Sequence, residues 1–254
     1  MDFLISIAFV IWLYMTIVFL FALIKKDNSI VDVFWGLGFI VVAAYSLINT
    51  GNLNLQTIIL NLFVLLWGLR LSIHIFNRNK GKGEDFRYKA WRDTWKFFTL
   101  RSYLQIFMLQ GIFMLIISGP VYFVNRHSTG VLHINDYLGI ALFLTGFCFE
   151  AVSDYQLLRF GKNPENKGKI ITSGLWSISR HPNYFGETLI WWGIGLFSIS
   201  YHQGWMMLVS PVMITLLLRF VSGVPMLEKK YQSHPDWNRY KQKTSVFVPF
   251  LRFL

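Results

Sequence analysis

Long apolar runs dominate this sequence, and each is long enough to cross a hydrocarbon core, which takes about 20 helical residues. The first runs from Phe3 to Ile24 and carries no charge. A second starts near Ile30 and ends by Asn49, and a third covers Leu53 to about Asn77. A fourth is Ser102 to Asn125, and a fifth runs from Asp136 to about Leu158. Thr188 to Leu218 is uncharged but too long for one span, and Tyr201-His202-Gln203-Gly204 is a turn signal that divides it. The expected fold is therefore all-α, a polytopic membrane protein with about seven transmembrane helices. Pro211, inside the seventh, predicts a kink. No small-residue cleavage site follows the first run, and Lys25-Lys26-Asp27 comes directly after it, so it reads as a retained span, not a signal peptide.

Composition closes off the alternatives. Hydrophobic residues make up 54% of the 254 and charged residues 15%, against roughly 25% charged in a soluble domain. That excludes a soluble globular enzyme and a disordered chain. Cys148 is the only cysteine, so no internal disulfide exists, and six scattered histidines lack metal-ligand spacing, so no metal site is expected. There is no internal repeat, flexible linker or low-complexity tract, and residues 1–254 read as a single domain.

The basic residues set the orientation. Lys25, Lys26, the segments 78–101 and 159–182 and the tail after 222 fall on one side, while the opposite loops hold only Arg126. Arg70 and Arg219 lie inside spans near the basic end. The positive-inside rule makes that side cytoplasmic, with the N-terminus outside and the C-terminus inside. The net charge of +11 thus gathers on one face. It suits anionic membrane lipid, or an anionic cofactor. Nothing resembles a nucleic-acid reading module, so no nucleic-acid partner is expected, and no obligate protein partner is evident.

Ionisable groups inside spans are costly and mark function. Asp32 begins the second span. Arg70 and His74, Glu150 and Asp154, and Asn183 and Glu187 each stand one turn apart on one helix face. All lie toward the cytoplasmic ends of their spans, where they could form one polar pocket, or pair as inert glue. The adjoining loops run from Arg78 to Tyr88 and from Arg159 through Lys162 to Trp176, then into Ser179-Arg180-His181-Pro182-Asn183-Tyr184-Phe185-Gly186-Glu187. Pro182 suits a helix start, and that helix end favours an anion beside Arg180. No G-x-G-x-x-G follows a strand pattern, so a Rossmann domain is absent.

These blocks resemble the steroid 5-alpha-reductase-like membrane family, and most of all its bacterial branch. Gly174-Leu175-Trp176 with the Ser179–Glu187 block carries the likeness. Asp32-Val33-Phe34-Trp35-Gly36, the run Trp67-Gly68-Leu69-Arg70-Leu71 leading to Glu84-Asp85-Phe86-Arg87-Tyr88, and Ser222-Gly223-Val224-Pro225 with Glu228 support it in the expected order. The resemblance implies a seven-helix reductase using NADPH, in a bacterial cytoplasmic membrane. It puts Asp154, Arg159 with the loop to Lys162, Arg180, His181, Asn183, Tyr184 and Glu187 at the cofactor, which lies with the half at about 136–254. Arg78, Arg87 and Tyr88 join them after the third span, and Glu228 closes the site from the tail. In the steroid enzymes a Gln-Glu pair in the second span and a Tyr in the third bind the substrate ketone. Here Asp32 stands near that Glu, preceded by Val31, and Trp67 falls at the Tyr, where an indole cannot polarise a carbonyl as a phenol does.

The expected reaction is hydride transfer from NADPH to an activated C=C bond of a lipophilic, steroid-like or other enone substrate. Asp32, Arg70, His74 and Glu187 are the catalytic candidates, with Arg70 and His74 meeting the charge that builds on the carbonyl oxygen. Trp35 and Trp67 are candidates to line the substrate cavity. Membrane methyltransferases acting on isoprenylcysteine or phospholipid carry a similar Arg-His-Pro block, which leaves S-adenosylmethionine as the alternative cofactor. A non-catalytic membrane protein or transporter is a further rival, disfavoured by the absence of repeats.

Overall fold

The computed structural model describes residues 2–251. Among them the fold is helical, and the one strand-like feature is an isolated bridge between Ser179 and Ser245. The chain divides into two compact units, Met1–Leu132 and His133–Leu254. The first holds α1 (Phe3–Lys25), α2 (Ile30–Thr50), α3 (Leu55–Asn79), the short α4 (Phe86–Thr94), α5 (Phe98–Ile117) and α6 (Gly119–His127). The second holds α7 (Ile134–Lys162), α8 (Pro182–Leu196), α9 (Gly204–Tyr231) and α10 (Trp237–Lys243).

Six helices are long and apolar enough to cross a membrane: α1, α2, α3, α5, α7 and α9. The expected sixth span corresponds to α8. It has 15 residues, about 22 Å at ~1.5 Å per residue, short of the ~30 Å core. The turn that ends it lies where the sequence places one, with Gln203 in the left-handed region. The fourth span is shifted from Ser102–Asn125 to Phe98–Ile117. Pro120 is the physical reason: it lacks an N–H and clashes with the preceding turn, so α5 stops at Ile117 and α6 restarts with proline in its first turn. Within α9 a tight stretch, Gly204–Leu208, gives way to regular helix from Val209, and Pro211 lies in the first turn of that regular part, where its missing N–H breaks no helical bond.

Helix entry follows local chemistry. Asp2 caps α1, Asn54 and Thr57 form a reciprocal box at α3, and Asp85 caps α4, each satisfying amides that the first turn leaves orphaned. The core of the first unit is apolar and aromatic. The ring of Phe39 sits between Trp35 and Trp67, with centroids 5.1 and 5.4 Å away.

Glycines set the register of the antiparallel pairs. In the first unit a Cβ on Gly36 of α2 would lie 2.5 Å from the carbonyl oxygen of Gly68 on α3, and the reverse contact is 2.6 Å. In the second unit Gly139 and Gly146 of α7 meet Gly193 and Gly186 of α8 in the same reciprocal way. Only residues without a Cβ allow backbones this close. Two contacts seven residues apart on each helix fix α7 against α8 over their length. Near the N-terminal end of α8, this register brings Asn183 beside Asp154.

Candidate functional site

Each unit carries a polar cluster where its helices meet the basic segments. In the first, the cluster grows from the turn between α1 and α2. The Asp27 carboxylate accepts from the Ser29 amide and hydroxyl, which closes the turn and starts α2. Asp32 falls in the first turn of that helix, where the dipole favours a carboxylate. Both of its oxygens are occupied: Tyr88 donates its phenol to Oδ1 at 2.6 Å, and Arg87 donates Nη2–H to Oδ2 at 2.8 Å. Arg87 also donates Nε–H to Asp85 at 2.9 Å. Glu84 accepts both arms of Arg92, at 2.8 and 2.7 Å, and the Asn28 amide at 2.8 Å. Burial pushes the Glu84 carboxyl up, but the Arg92 fork and that amide outweigh it and hold the group below the usual range. The segment 84–92 is thereby strapped to the start of α2.

This arrangement distributes the expected site residues of the first unit unevenly. Asp32, Arg87 and Tyr88 are brought together. Arg87 is already shared between two carboxylates, so in this geometry it neutralises and orients Asp32. Tyr88 is buried, and burial followed by the Asp32 charge holds its phenol protonated well beyond the ordinary range. Arg78 is exposed at the end of α3 and bonds to its neighbour Asn79. Arg70 and His74 are half-buried, one turn apart on α3. Trp35 is half-buried, whereas Trp67 is fully enclosed at 0% exposure and packs on Phe39.

The second unit holds the other cluster. Asn183 donates its amide to Asp154 Oδ1 at 3.2 Å. Its own carbonyl oxygen is buried and accepts no hydrogen bond among the described residues. Glu150 and Glu187 lie one turn deeper on the same helices, and both are buried. His181 stacks on Tyr184 with centroids 5.8 Å apart and planes 8° off parallel. Its Nε2 is 3.6 Å from Glu228. Burial pulls the imidazole below its ordinary pKa; Glu228 opposes this and Arg180 adds to it, so the ring is neutral near pH 7. Arg159 and Lys162 are exposed cations in the last turn of α7, apart from these bonds.

Arg180 points into the tail. It donates Nε–H to Glu228 at 2.8 Å and Nη1–H to the carbonyls of Thr244 and Lys241 at 2.7 and 3.1 Å, and its guanidinium lies 5.7 Å from the Trp237 ring centroid. The tail returns the grip. Ser179 donates to the Phe247 carbonyl, Ser245 to that of Ile178, and Tyr240 to that of Trp176. Trp176 donates in turn to the Ser153 carbonyl on α7. Tyr240, Thr244, Ser245 and Phe247 thus position the Arg-His-Pro turn, and sequence reasoning missed them. The available signal was the aromatic pair Trp237 and Tyr240, three residues apart in an otherwise charged tail.

The family described as "Protein of unknown function (DUF1295)" matches residues 18–244. An uncharacterized protein of Schizosaccharomyces pombe is 24% identical over 73% of this chain and 61% of its own length. The 3-oxo-5-alpha-steroid 4-dehydrogenase 1 of Bos taurus is 31% identical over 44% of this chain and 41% of its own. A "Probable O-methyltransferase ustE" of Ustilaginoidea virens is 45% identical over 64 residues, 24% of this chain and 22% of its own. The chain therefore spans about three fifths of the first of these relatives and less of the other two. No solved structure matches.

Proposed function

The chain belongs to the DUF1295 family, within the steroid 5-alpha-reductase-like group, and from that premise we propose that it is a membrane reductase using NADPH to reduce an activated C=C bond of a lipophilic substrate. The observation that carries the reading is the Asn183 pair. A buried carbonyl oxygen without a donor, beside a carboxylate and at the N-terminal end of a helix, matches a ligand rich in amide N–H, hydroxyl and phosphate groups. The residues that would hold the cofactor in the second unit are Asn183, Asp154 and the His181–Tyr184 stack, with Arg159 and Lys162 as exposed phosphate partners. When bound, NADPH supplies a hydride.

The chain's own residues supply the rest. As hydride adds to the β-carbon of an enone, an electron pair moves to the carbonyl oxygen, which must be met by a preorganised donor until a proton from solvent reaches the α-carbon and the carbonyl re-forms. Tyr88 is that donor in this proposal: its single O–H, given to Asp32 in the structure, turns from the carboxylate to the substrate oxygen when the ketone binds, and Arg87 keeps Asp32 in place as it does so. In this proposal the phenol absent at Trp67 is offered from α4. Tyr88→Phe removes the donor and keeps the ring. It is expected to lower kcat about 100-fold, with KM little changed, measured by NADPH consumption on a panel of enone lipids in proteoliposomes. An unchanged kcat would remove Tyr88 from this role.

The cofactor is tested separately. Titration of the detergent-purified protein with NADPH, NADP and S-adenosylmethionine, followed by thermal shift, should show stabilisation by the nicotinamide cofactors. Asn183→Ala should weaken NADPH about tenfold, the loss of one buried hydrogen bond. The local identity to an O-methyltransferase favours one second reading, methyl transfer from S-adenosylmethionine. Stabilisation by that cofactor alone would reverse the choice. In the same proposal the protein crosses a bacterial cytoplasmic membrane seven times, with the short α8 as the sixth crossing, α9 as the seventh and the C-terminus inside.

A further inference from the structure

The end of the first unit remote from Asp32 is unused by the reductase reading. A cavity of about 570 Å³ opens there, lined by Asp2, Ser6, Tyr45, Asn49, Thr50 and Arg126, with Phe3 at its wall. The Arg126 guanidinium lies 5.1 Å from the Phe3 ring centroid. Among the described residues no ion pair joins Arg126 to Asp2, or either of them to another side chain. One oxygen of Asp2 caps the Leu4 amide at 3.3 Å, which leaves the other to accept. The Ser6 and Thr50 hydroxyls are spent on the carbonyls of Phe3 and Ser46. Tyr45 and Asn49, one turn apart on α2, have no hydrogen bond among the described residues.

An acid and a base thus line one cavity without pairing. Positive-inside topology accounts for cations on the opposite side and gives no reason for this arginine. A ligand that carries both charges satisfies both groups at once. The volume falls within the ~300–1,000 Å³ of small-molecule sites. The position, at the ends of α1, α2 and α6, is the depth at which headgroups meet helices. Exposed Leu4, Ile5 and Ile48 give acyl chains an apolar surface next to it.

We propose that this cavity binds the phosphoethanolamine headgroup of a membrane phospholipid. Arg126 grips the phosphate with its planar fork, Tyr45 and Asn49 donate to the remaining oxygens, and Asp2 accepts from the primary ammonium. A choline headgroup has no N–H for Asp2, and a glycerol headgroup has no cation. The same polar chemistry exists in free phosphoethanolamine, and the apolar flank is what selects the lipid.

The test is native mass spectrometry of the full-length protein released from detergent with phosphatidylethanolamine, phosphatidylcholine or phosphatidylglycerol of identical acyl chains. Phosphatidylethanolamine should be retained about tenfold better than the other two. Arg126→Gln should lower its retention about tenfold, and Asp2→Asn should reduce it to the level of phosphatidylcholine. Both positions are exposed, and an unchanged Tm confirms that the variants fold. Equal retention of all three lipids by the unaltered protein would overturn the proposal, as would retention unaffected by Arg126→Gln. Displacement of the lipid by millimolar free phosphoethanolamine would overturn the lipid assignment and identify a soluble ligand.

Discussion

Replacing Arg180 with alanine is expected to release the tail, at a cost of about 3 kcal/mol. Arg180 is 7% exposed, and its bonds go to Glu228 and to the carbonyls of Lys241 and Thr244. Truncation leaves a carboxylate and two carbonyls without their donor, and a buried group stripped of its partner loses more than the bond was worth. The Trp237 ring also loses the cation beside it. With these ties gone, the tail keeps only the hydrogen bonds from Ser179, Ser245 and Tyr240, the backbone bond from the residue 180 amide to the Ser245 carbonyl, and longer contacts from Thr244 and Phe250. Limited trypsin digestion reads the result, because Arg239, Lys241 and Lys243 lie within the clamped segment. Cleavage there should be faster by about two orders of magnitude if opening is in rapid equilibrium. Arg180→Lys should give an intermediate rate, since one ammonium cannot reach all three acceptors. If both variants resist trypsin as the unaltered protein does, Arg180 does not anchor the tail, and its neighbours carry the turn.

The same residue shows what could be read from the sequence and what could not. The apolar runs gave the helices closely: α1, α2, α3 and α7 lie within a few residues of the runs that predict them, because span length is set by hydrocarbon thickness and needs no knowledge of neighbours. The break at Pro120 follows from a local rule, yet an uncharged run conceals it. Partners are a different matter. Asp32 meets Arg87 55 positions away and Arg180 meets Thr244 64 positions away; no local periodicity encodes either pairing. A guanidinium beside a helix start reads as an anion site in one dimension. In three dimensions Arg180 is turned toward the tail and Arg87 toward Asp32. Asn183 and Asp154 were legible as polar residues at the right depth, but their contact depends on helix register. That register comes from Gly146 and Gly186, residues whose contribution lies in what they lack.

Giving Gly186 a side chain should therefore disturb the cluster more than changing most residues in it. A Cβ on Gly186 would lie 2.6 Å from the Glu150 amide nitrogen and 2.6 Å from the Gly146 carbonyl oxygen. Both are backbone atoms of α7, so no rotamer change relieves the clash, and α7 and α8 must separate. Overpacking of this kind costs about 3 kcal/mol. Alanine recovers at most ~1 kcal/mol over glycine in a helix interior, which leaves a net loss of about 2 kcal/mol for Gly186→Ala and a larger one for Gly186→Leu. The 3.2 Å bond between Asn183 and Asp154 does not survive a separation of even one ångström, so ligand binding at Asn183 should weaken along with stability. Gly161→Ala is the control: it lies in the last turn of α7 with nothing within 4 Å of its added carbon, and the same propensity gain should leave its Tm unchanged or raised. Thermal unfolding of the two variants in detergent separates the cases. Equal shifts for Gly186→Ala and Gly161→Ala would mean that α7 and α8 are not in backbone contact, and the positions of Asp154 and Asn183 would then need another cause.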